Sequence, residues 1–367
     1  MPENLYYAAS CGFEAARSLA GQGDARLQRL HGHSFGASVR TPTCPAAFAG
    51  AQVGDLRAQL SQLVAPLDYQ HLNTLLAEPD DLQLAGWLQQ QALGILPTTA
   101  SFAIQSTARR GIQLDGEQRA RLWRRYSFES AHQLPHVGAD HKCGRMHGHG
   151  FAVVLMAEGK ALSSIAYAQL AARIEAAWVP VHEMLHHRCL NDIAGLENPT
   201  SEMLSRWLWQ RLGPQLPELC RINVYETASC GASYDGQRFR IWKDFSLDSA
   251  VRLAQAPAAD SRRRIHGHSF TLRLHLGGEI DARMGWVRDF AEIKSAFSPL
   301  FLQLDHHPLY AIPGLADSDS ATLAAWIKGR VSDLLPQVEC IELYEQPGCG
   351  VILAEGTLPA ALPEAAG

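Results

Sequence analysis

Several absences narrow what this chain can be. No uninterrupted apolar run is long enough to cross a membrane as a helix. The opening residues, Met1-Pro2-Glu3-Asn4, lack the basic-then-apolar pattern of an export signal, so a cytoplasmic location is expected. Cysteine is thinly spread, eight in 367 residues with no tight framework spacing, which argues for reduced thiols over a disulfide scaffold. Positive charge is not in excess: the net charge is −5 and the sequence pI about 6.3, which does not favour nucleic acid as a partner. Low-complexity sequence is confined to the last ten residues, Ala/Pro-rich and expected to fray. The remainder has the composition of a globular protein, at a length that suggests two or three domains.

What is present is a repeat. The triplet His-Gly-His occurs at His31-Gly32-His33, His147-Gly148-His149 and His266-Gly267-His268, roughly 120 residues apart. Three further landmarks follow each triplet in the same order. They are Leu67-Asp68-Tyr69, Leu185-His186-His187 and Leu304-Asp305-His306; then Leu84 to Trp87, Leu204 to Trp207 and Leu323 to Trp326; then Gln105-Ser106-Thr107, Tyr225-Glu226-Thr227 and Tyr344-Glu345-Gln346. The chain divides into residues 1–118, 119–237 and 238–367. Each segment reads β-β-α-α-β-β, an α+β pattern with helices on one side of an antiparallel sheet. In the middle segment the first helix is expected over roughly 167–178, the second after Pro199-Thr200-Ser201, and a final strand over 221–227, ending in a turn region from Gly231 to Gly236.

The middle segment carries the chemistry. Side chains two apart on a strand share a face, so His147 and His149 point the same way, and His132 reaches that face from the preceding antiparallel strand. Three imidazoles with an open fourth position are the ligand set of a catalytic Zn2+. Cys143 lies in the approach to the second strand, where a cation can lower a thiol's pKa.

Phe128-Glu129-Ser130-Ala131-His132, Cys143-x-x-x-His147-Gly148-His149, Leu190-Asn191-Asp192, Glu197-Asn198-Pro199-Thr200 and Tyr225-Glu226-Thr227 resemble the 6-pyruvoyltetrahydropterin synthase superfamily, most of all its 6-carboxytetrahydropterin synthase branch. The resemblance is specific over about 122–236 and weaker in both flanking segments. It implies three tandem tunnelling-fold domains closing a pseudo-trimeric antiparallel β-barrel with helices outside, and two chains stacking as a homodimer. It also implies a lyase that converts 7,8-dihydroneopterin triphosphate to 6-carboxytetrahydropterin, acetaldehyde and triphosphate in queuosine biosynthesis. Triphosphate elimination alone, giving 6-pyruvoyltetrahydropterin, and pterin binding without catalysis are the alternatives.

The resemblance also assigns roles. His132, His147 and His149 would hold zinc, with Cys143 as the proton-transferring thiol. An aspartate–histidine couple from a neighbouring unit would complete a triad. The middle segment has His186 in place of that aspartate and the first has Tyr69 in place of the histidine, so Asp305 and His306 are the intact pair. One composite site per chain is the expectation. Glu226, followed by Thr227, would bind the pterin ring through two parallel hydrogen bonds, with Glu345 in reserve. Arg17 and Val251 replace the first ligand in the outer segments, and Leu27 and Arg262 replace the cysteine, so His31, His33, His266 and His268 are expected to be hydrogen-bonded relics. Lys142, Arg145 and the run Arg262-Arg263-Arg264 are candidate phosphate-binding cations.

Overall fold

A computed structural model describes residues 3–20 and 25–356; the Ala/Pro-rich tail lies outside the described residues. Three successive units repeat one order of elements. The first contains β1 (Glu3–Arg17), β2 (His31–Thr41), α1 (Gln52–Val64), the two-residue β3 (Gln70–His71), α2 (Asp81–Gln91), β4 (Ser101–Thr107) and β5 (Arg110–Leu114). The second contains β6 (Arg119–His132), β7 (His147–Lys160), α3 (Ser164–Leu185), the short β8 (Arg188–Cys189), α4 (Ser201–Leu212), β9 (Leu219–Thr227) and β10 (Cys230–Tyr234). The third contains β11 (Phe239–Val251), β12 (His266–Gly278), α5 (Phe290–Leu304), α6 (Ser320–Leu334), β13 (Val338–Gln346) and β14 (Cys349–Glu355).

Leaving aside β3 and β8, each unit contributes four antiparallel strands. They pair in the order β1-β2-β4-β5-β6-β7-β9-β10-β11-β12-β13-β14, and β14 returns to β1, closing a twelve-stranded barrel within one chain. The seams between units are β5–β6, β10–β11 and β14–β1.

Alternation along the strands separates two environments. The outer face packs under the helices, with Phe13 stacked on Phe35 at 4.8 Å and Phe128 on Phe151 at 5.1 Å. The inner face is mixed and differs between units. Where the second unit pairs Trp123 with Met156 and Arg125 with Val154, and the third pairs Trp242 with His275 and Asp244 with Arg273, the first pairs Ala8 with Arg40 and Ser10 with Ser38. Small residues, among them Gly12, Gly36 and Ala103, leave a cavity of about 670 Å³ on that side of the barrel.

The helices follow their caps. Thr200 Oγ1 accepts from Met203 N at 3.1 Å to start α4, and Leu204, Trp207, Leu208 and Leu212 form its buried stripe. Helix α3 extends beyond the expected 167–178 and runs through Pro180 to Leu185. Proline removes one helical hydrogen bond, but Trp178 just before it and Val181 and Leu185 beyond it are buried, and their packing carries the helix onward.

The region from Gly231 to Gly236 is not one turn. Residues 230–234 form β10, and the reversal from β9 comes earlier, after Thr227. Gly231 is required by close approach: a Cβ there would lie 2.2 Å from the Val224 carbonyl oxygen and 2.6 Å from the Trp242 ring. Gly111 and Gly350 occupy the corresponding bulged positions in the other two units. Gly231→Ala is expected to reduce the free energy of urea unfolding by about 1–3 kcal/mol, the usual cost of overpacking.

Candidate metal centre and its cavity

The β6–β7 ladder builds the metal cradle directly. His132 pairs with His147 and Ser130 with His149, which puts three imidazoles on the outer face. His149 and His132 pack against Phe151, with ring centroids 4.2 and 5.3 Å away. One ligand nitrogen from each histidine lies within 4.8 Å of the others. Among the described residues no other group of three His, Cys, Asp or Glu side chains converges in this way.

Backbone carbonyls orient every ring. His132 Nδ1 meets Pro199 O at 3.3 Å, His147 Nδ1 meets Arg145 O at 2.8 Å, and His149 Nδ1 meets Gly150 O at 3.0 Å. A carbonyl can only accept, so each Nδ1 carries the proton and each Nε2 is a bare donor to a metal. His132 Nε2 and His149 Nε2 face each other at 3.2 Å. Two lone pairs at that distance repel unless a cation lies between them, and tetrahedral zinc with ligands at roughly 2.05 Å would set them about 3.3 Å apart. Burial, then the neighbouring His147 and His149 rings, push His132 down to about 4, keeping it neutral as a ligand must be. The donor set therefore fits zinc.

The outer units fill the same location differently. Arg17 stands where His132 does, and its Nη1 donates to Pro79 O at 2.9 Å and to Asp81 Oδ1 at 2.8 Å. Both members of that ion pair are buried, and Ser106 Oγ donates to the second Asp81 oxygen at 2.8 Å. A guanidinium thus supplies the positive charge in the first unit. His33 accepts from Arg110 at 3.4 Å and is pushed down to about 4, chiefly by burial and then by Arg17 and Arg110. In the third unit Val251 is buried at this position. His31 and His266 keep the same Nδ1 bond to a carbonyl two residues back, at 2.7 and 2.8 Å.

The second unit's cradle opens into a cavity of about 990 Å³ at the β10–β11 seam. The second unit lines it with His147, His149, Cys143, Glu226 and Thr227, and the third with Lys243, Asp289 and Lys294. Glu226 Oε2 accepts from Ser201 Oγ at 2.9 Å, which leaves its other carboxylate oxygen for a ligand. Thr227 Oγ1 accepts from Ser229 N at 3.2 Å and so holds the β9–β10 turn. The Cys143 thiol is pushed up, first by burial and then by the Glu226 and Asp289 carboxylates, with Lys142 opposing. Its side-chain surroundings alone do not supply the lowering cation that its place in the sequence suggested.

Other expected site residues lie elsewhere. Asp305 and His306 do not line this cavity. They sit at the C-terminal end of α5, whereas Asp289, which contacts His141 at 2.9 Å, caps its N-terminal end. A fifteen-residue helix is about 22 Å long, so within one chain the expected seam does not join this couple to Cys143. The couple is formed, with His306 Nδ1 2.8 Å from Asp305 Oδ2, and its imidazole is 77% exposed. Asp305 raises the His306 pKa and is itself held low, mainly by the Asp248 N–H. Glu345 accepts from Ser320 Oγ at 2.7 Å in the third unit, outside the cavity. Arg262 is tied to Asp260 and Asp55 at the β14–β1 seam. The cations lining the cavity are Lys142, Arg145, Lys243 and Lys294. The last two carried no local signal, since they come from another unit. His141 and Ser201 were likewise missed.

Fold and site together describe a tandem-unit β-barrel protein with a three-imidazole cradle beside a thiol and a carboxylate. A family model for 6-pyruvoyl tetrahydropterin synthase matches residues 121–237 and again 240–355, and the chain belongs to that family. It is 33% identical over 126 residues to 6-carboxy-5,6,7,8-tetrahydropterin synthase of Synechocystis sp., covering 32% of this chain and 94% of that protein. It is 30% identical over 103 residues to dihydroneopterin monophosphate aldolase of Pyrococcus furiosus, covering 27% of this chain and 87% of that protein. Among solved structures, 6-pyruvoyl tetrahydropterin synthase of Caenorhabditis elegans aligns with 32% of this chain and 95% of its own, at 19% identity and a TM-score of 0.29.

Two predictions follow from this geometry. Metal analysis of the purified chain should give one zinc per chain, falling at least tenfold in His132→Ala and remaining unchanged in His266→Ala. The second concerns Glu202, buried beside the seam, where its Oε1 accepts from Val287 N at 2.9 Å. Burial pushes it from 4.5 up to about 8. A carboxyl raised on folding stabilises most below its ordinary value and loses that contribution as pH climbs through the raised one. The thermal midpoint should therefore fall between pH 5 and pH 8.5, and Glu202→Gln, which keeps the acceptor, should flatten the decline.

Proposed function

We propose that the chain is a zinc-dependent pterin lyase that converts 7,8-dihydroneopterin triphosphate and water to 6-carboxy-5,6,7,8-tetrahydropterin, acetaldehyde and triphosphate, the reaction that feeds queuosine biosynthesis. The observation that carries this reading is the meeting of His147, His149, Cys143 and Glu226 in one cavity, with His132 completing the histidine trio. Zinc held by His132, His147 and His149 would supply Lewis-acid polarisation of the substrate's side-chain hydroxyls. Glu226, braced by Ser201, accepts hydrogen bonds from the amino and ring N–H groups of the pterin, and Thr227 shapes the turn beside it. Cys143 removes and returns protons on the side chain as general base. Lys142, Arg145, Lys243 and Lys294 provide four positive charges for the triphosphate.

Asp305 and His306 retain a catalytic role in this proposal through a second copy of the chain. Their exposed imidazole is available to a stacked ring, and the active form is then a homodimer with composite sites between chains. Glu345, with its Ser320 partner, is the reserve pterin anchor in the third unit.

Cys143→Ala should abolish turnover of dihydroneopterin triphosphate while sparing the zinc; undiminished turnover removes the thiol from the mechanism. Product analysis decides the reaction. Acetaldehyde with a carboxylated pterin supports the proposal, a retained three-carbon side chain identifies the pyruvoyl-forming reaction, and tight pterin binding without phosphate release identifies a binding protein. Mixing Cys143→Ala chains with His306→Ala chains should restore up to half the activity if the couple acts between chains. No recovery confines the site to one chain.

A further inference from the structure

We infer that Asp289 of the third unit is a positioning residue for Cys143 of the second, acting through His141 across the seam. The inference rests on the proposed role of Cys143. It assigns the intrachain partner of the thiol loop to a pair separate from Asp305 and His306.

One carboxylate does two jobs here. Asp289 Oδ1 accepts from Ala291 N at 2.8 Å and caps α5. Its Oδ2 lies 2.9 Å from His141 Nε2. A carboxylate accepts, so Nε2 carries the proton and Nδ1 is left bare in the neutral ring. That Nδ1 accepts from Cys143 N at 3.2 Å, which makes His141 the N-cap of the short turn Lys142–Gly144 that carries the thiol. A single tautomer satisfies both contacts, and Asp289 selects it. The turn is tied at two further points, with Leu134 N donating to Cys143 O at 2.8 Å and Gly144 N to His141 O at 3.0 Å.

Asp289 is itself delivered to a fixed location. The segment before it is fastened to the second unit by Asn198 Nδ2 donating to Met284 O at 2.8 Å, Thr200 Oγ1 donating to Gly285 O at 2.6 Å, and Val287 N donating to Glu202. The His141 and Asp289 side chains are only 23% and 17% exposed, so solvent does not easily replace their contact. The third unit supplies an internal contrast. Asp260 caps the equivalent turn, accepting from Arg262 N at 2.9 Å, and Arg262 occupies the position of the thiol. The imidazole relay occurs in the unit that has a cysteine to hold. Both nitrogens of His141 are engaged, so its task is to fix where the thiol sits. A displacement near 1 Å can cost about a hundredfold in rate.

The test is a double-mutant cycle on the full-length, zinc-loaded protein with dihydroneopterin triphosphate. Asp289→Ala and His141→Ala should each lower kcat by about 10- to 100-fold with KM within about twofold. The double variant should be no worse than either single one. Asp289→Asn keeps one acceptor oxygen, which holds Nε2–H only by giving up the Ala291 cap, so it should recover part of the rate. Amide hydrogen exchange over residues 139–146, measured without substrate, should rise in both alanine variants and return towards the parent in Asp289→Asn. Wild-type kcat and exchange in Asp289→Ala, or additive losses in the double variant, overturn the inference. If the parent turns over no pterin, the proposed function fails, yet the exchange cycle still decides whether Asp289 orders the thiol loop. Should Asp289→Ala not fold, His141→Asn, which keeps the cap but not the seam contact, replaces it. A parental kcat and exchange in that variant also overturn the inference.

Discussion

Pairing of β1 with β14 is the constraint on which the other features depend. Its register, from Glu3 opposite Glu355 to Ala8 opposite Gly350, joins the beginning of the first unit to the end of the third. An open sheet of twelve strands would expose two edges and let the units splay. Closure fixes the order of units around the ring, and with it the identity of each seam. Within that ring the short β10–β11 connection joins the second unit to the third, and so brings α5 of the third unit to the cavity at the histidine cradle.

Each unit meets the same electrostatic problem at the end of its first strand, where a side chain must sit under the helices beside the carbonyl that precedes the second helix. In the middle unit an imidazole takes that carbonyl and turns its other nitrogen towards two more imidazoles. In the first unit a guanidinium takes the equivalent carbonyl and brings its own charge, matched by Asp81. The serine and the carboxylate have exchanged positions to permit this: Ser201 supports Glu226 in the second unit, and Ser106 supports Asp81 in the first. Breaking a buried pair of that kind costs about 3–5 kcal/mol, so the first unit is committed to it. The third unit avoids the problem with an apolar Val251.

How much of this was legible in the sequence follows the range of the interactions. His132, His147 and His149 could be read because two adjacent strands and a period of two bring them together. The repeat could be read because the landmarks recur in order, and the closed barrel was expected only through the family resemblance that those residues carry. Cys143 and Glu226 were found within the same unit as the metal ligands. His141 and Asp289 are 148 positions apart, and neither interrupts a local pattern; Asp289 looks like an ordinary helix cap, which it also is. Lys243 and Lys294 enter the cavity from the next unit for the same reason. Asp305 and His306 illustrate the limit from the other side. The motif pointed to an intact couple in the third unit, but no local pattern says which end of α5 faces the thiol. Helix α3 outran its expected end because burial beyond Pro180 outweighed the local signal.

Linking the three units covalently alters what a single substitution does. In a ring of identical subunits, an arginine in place of the first metal ligand would arrive three times and extinguish every centre at once. Here it arrives once, beside its own aspartate, while the middle unit keeps its histidines. The same freedom let the barrel's inner wall lose its large side chains on one side only. Tandem fusion has turned symmetry from an obligation into a starting point, and each third of the ring can drift towards a task of its own.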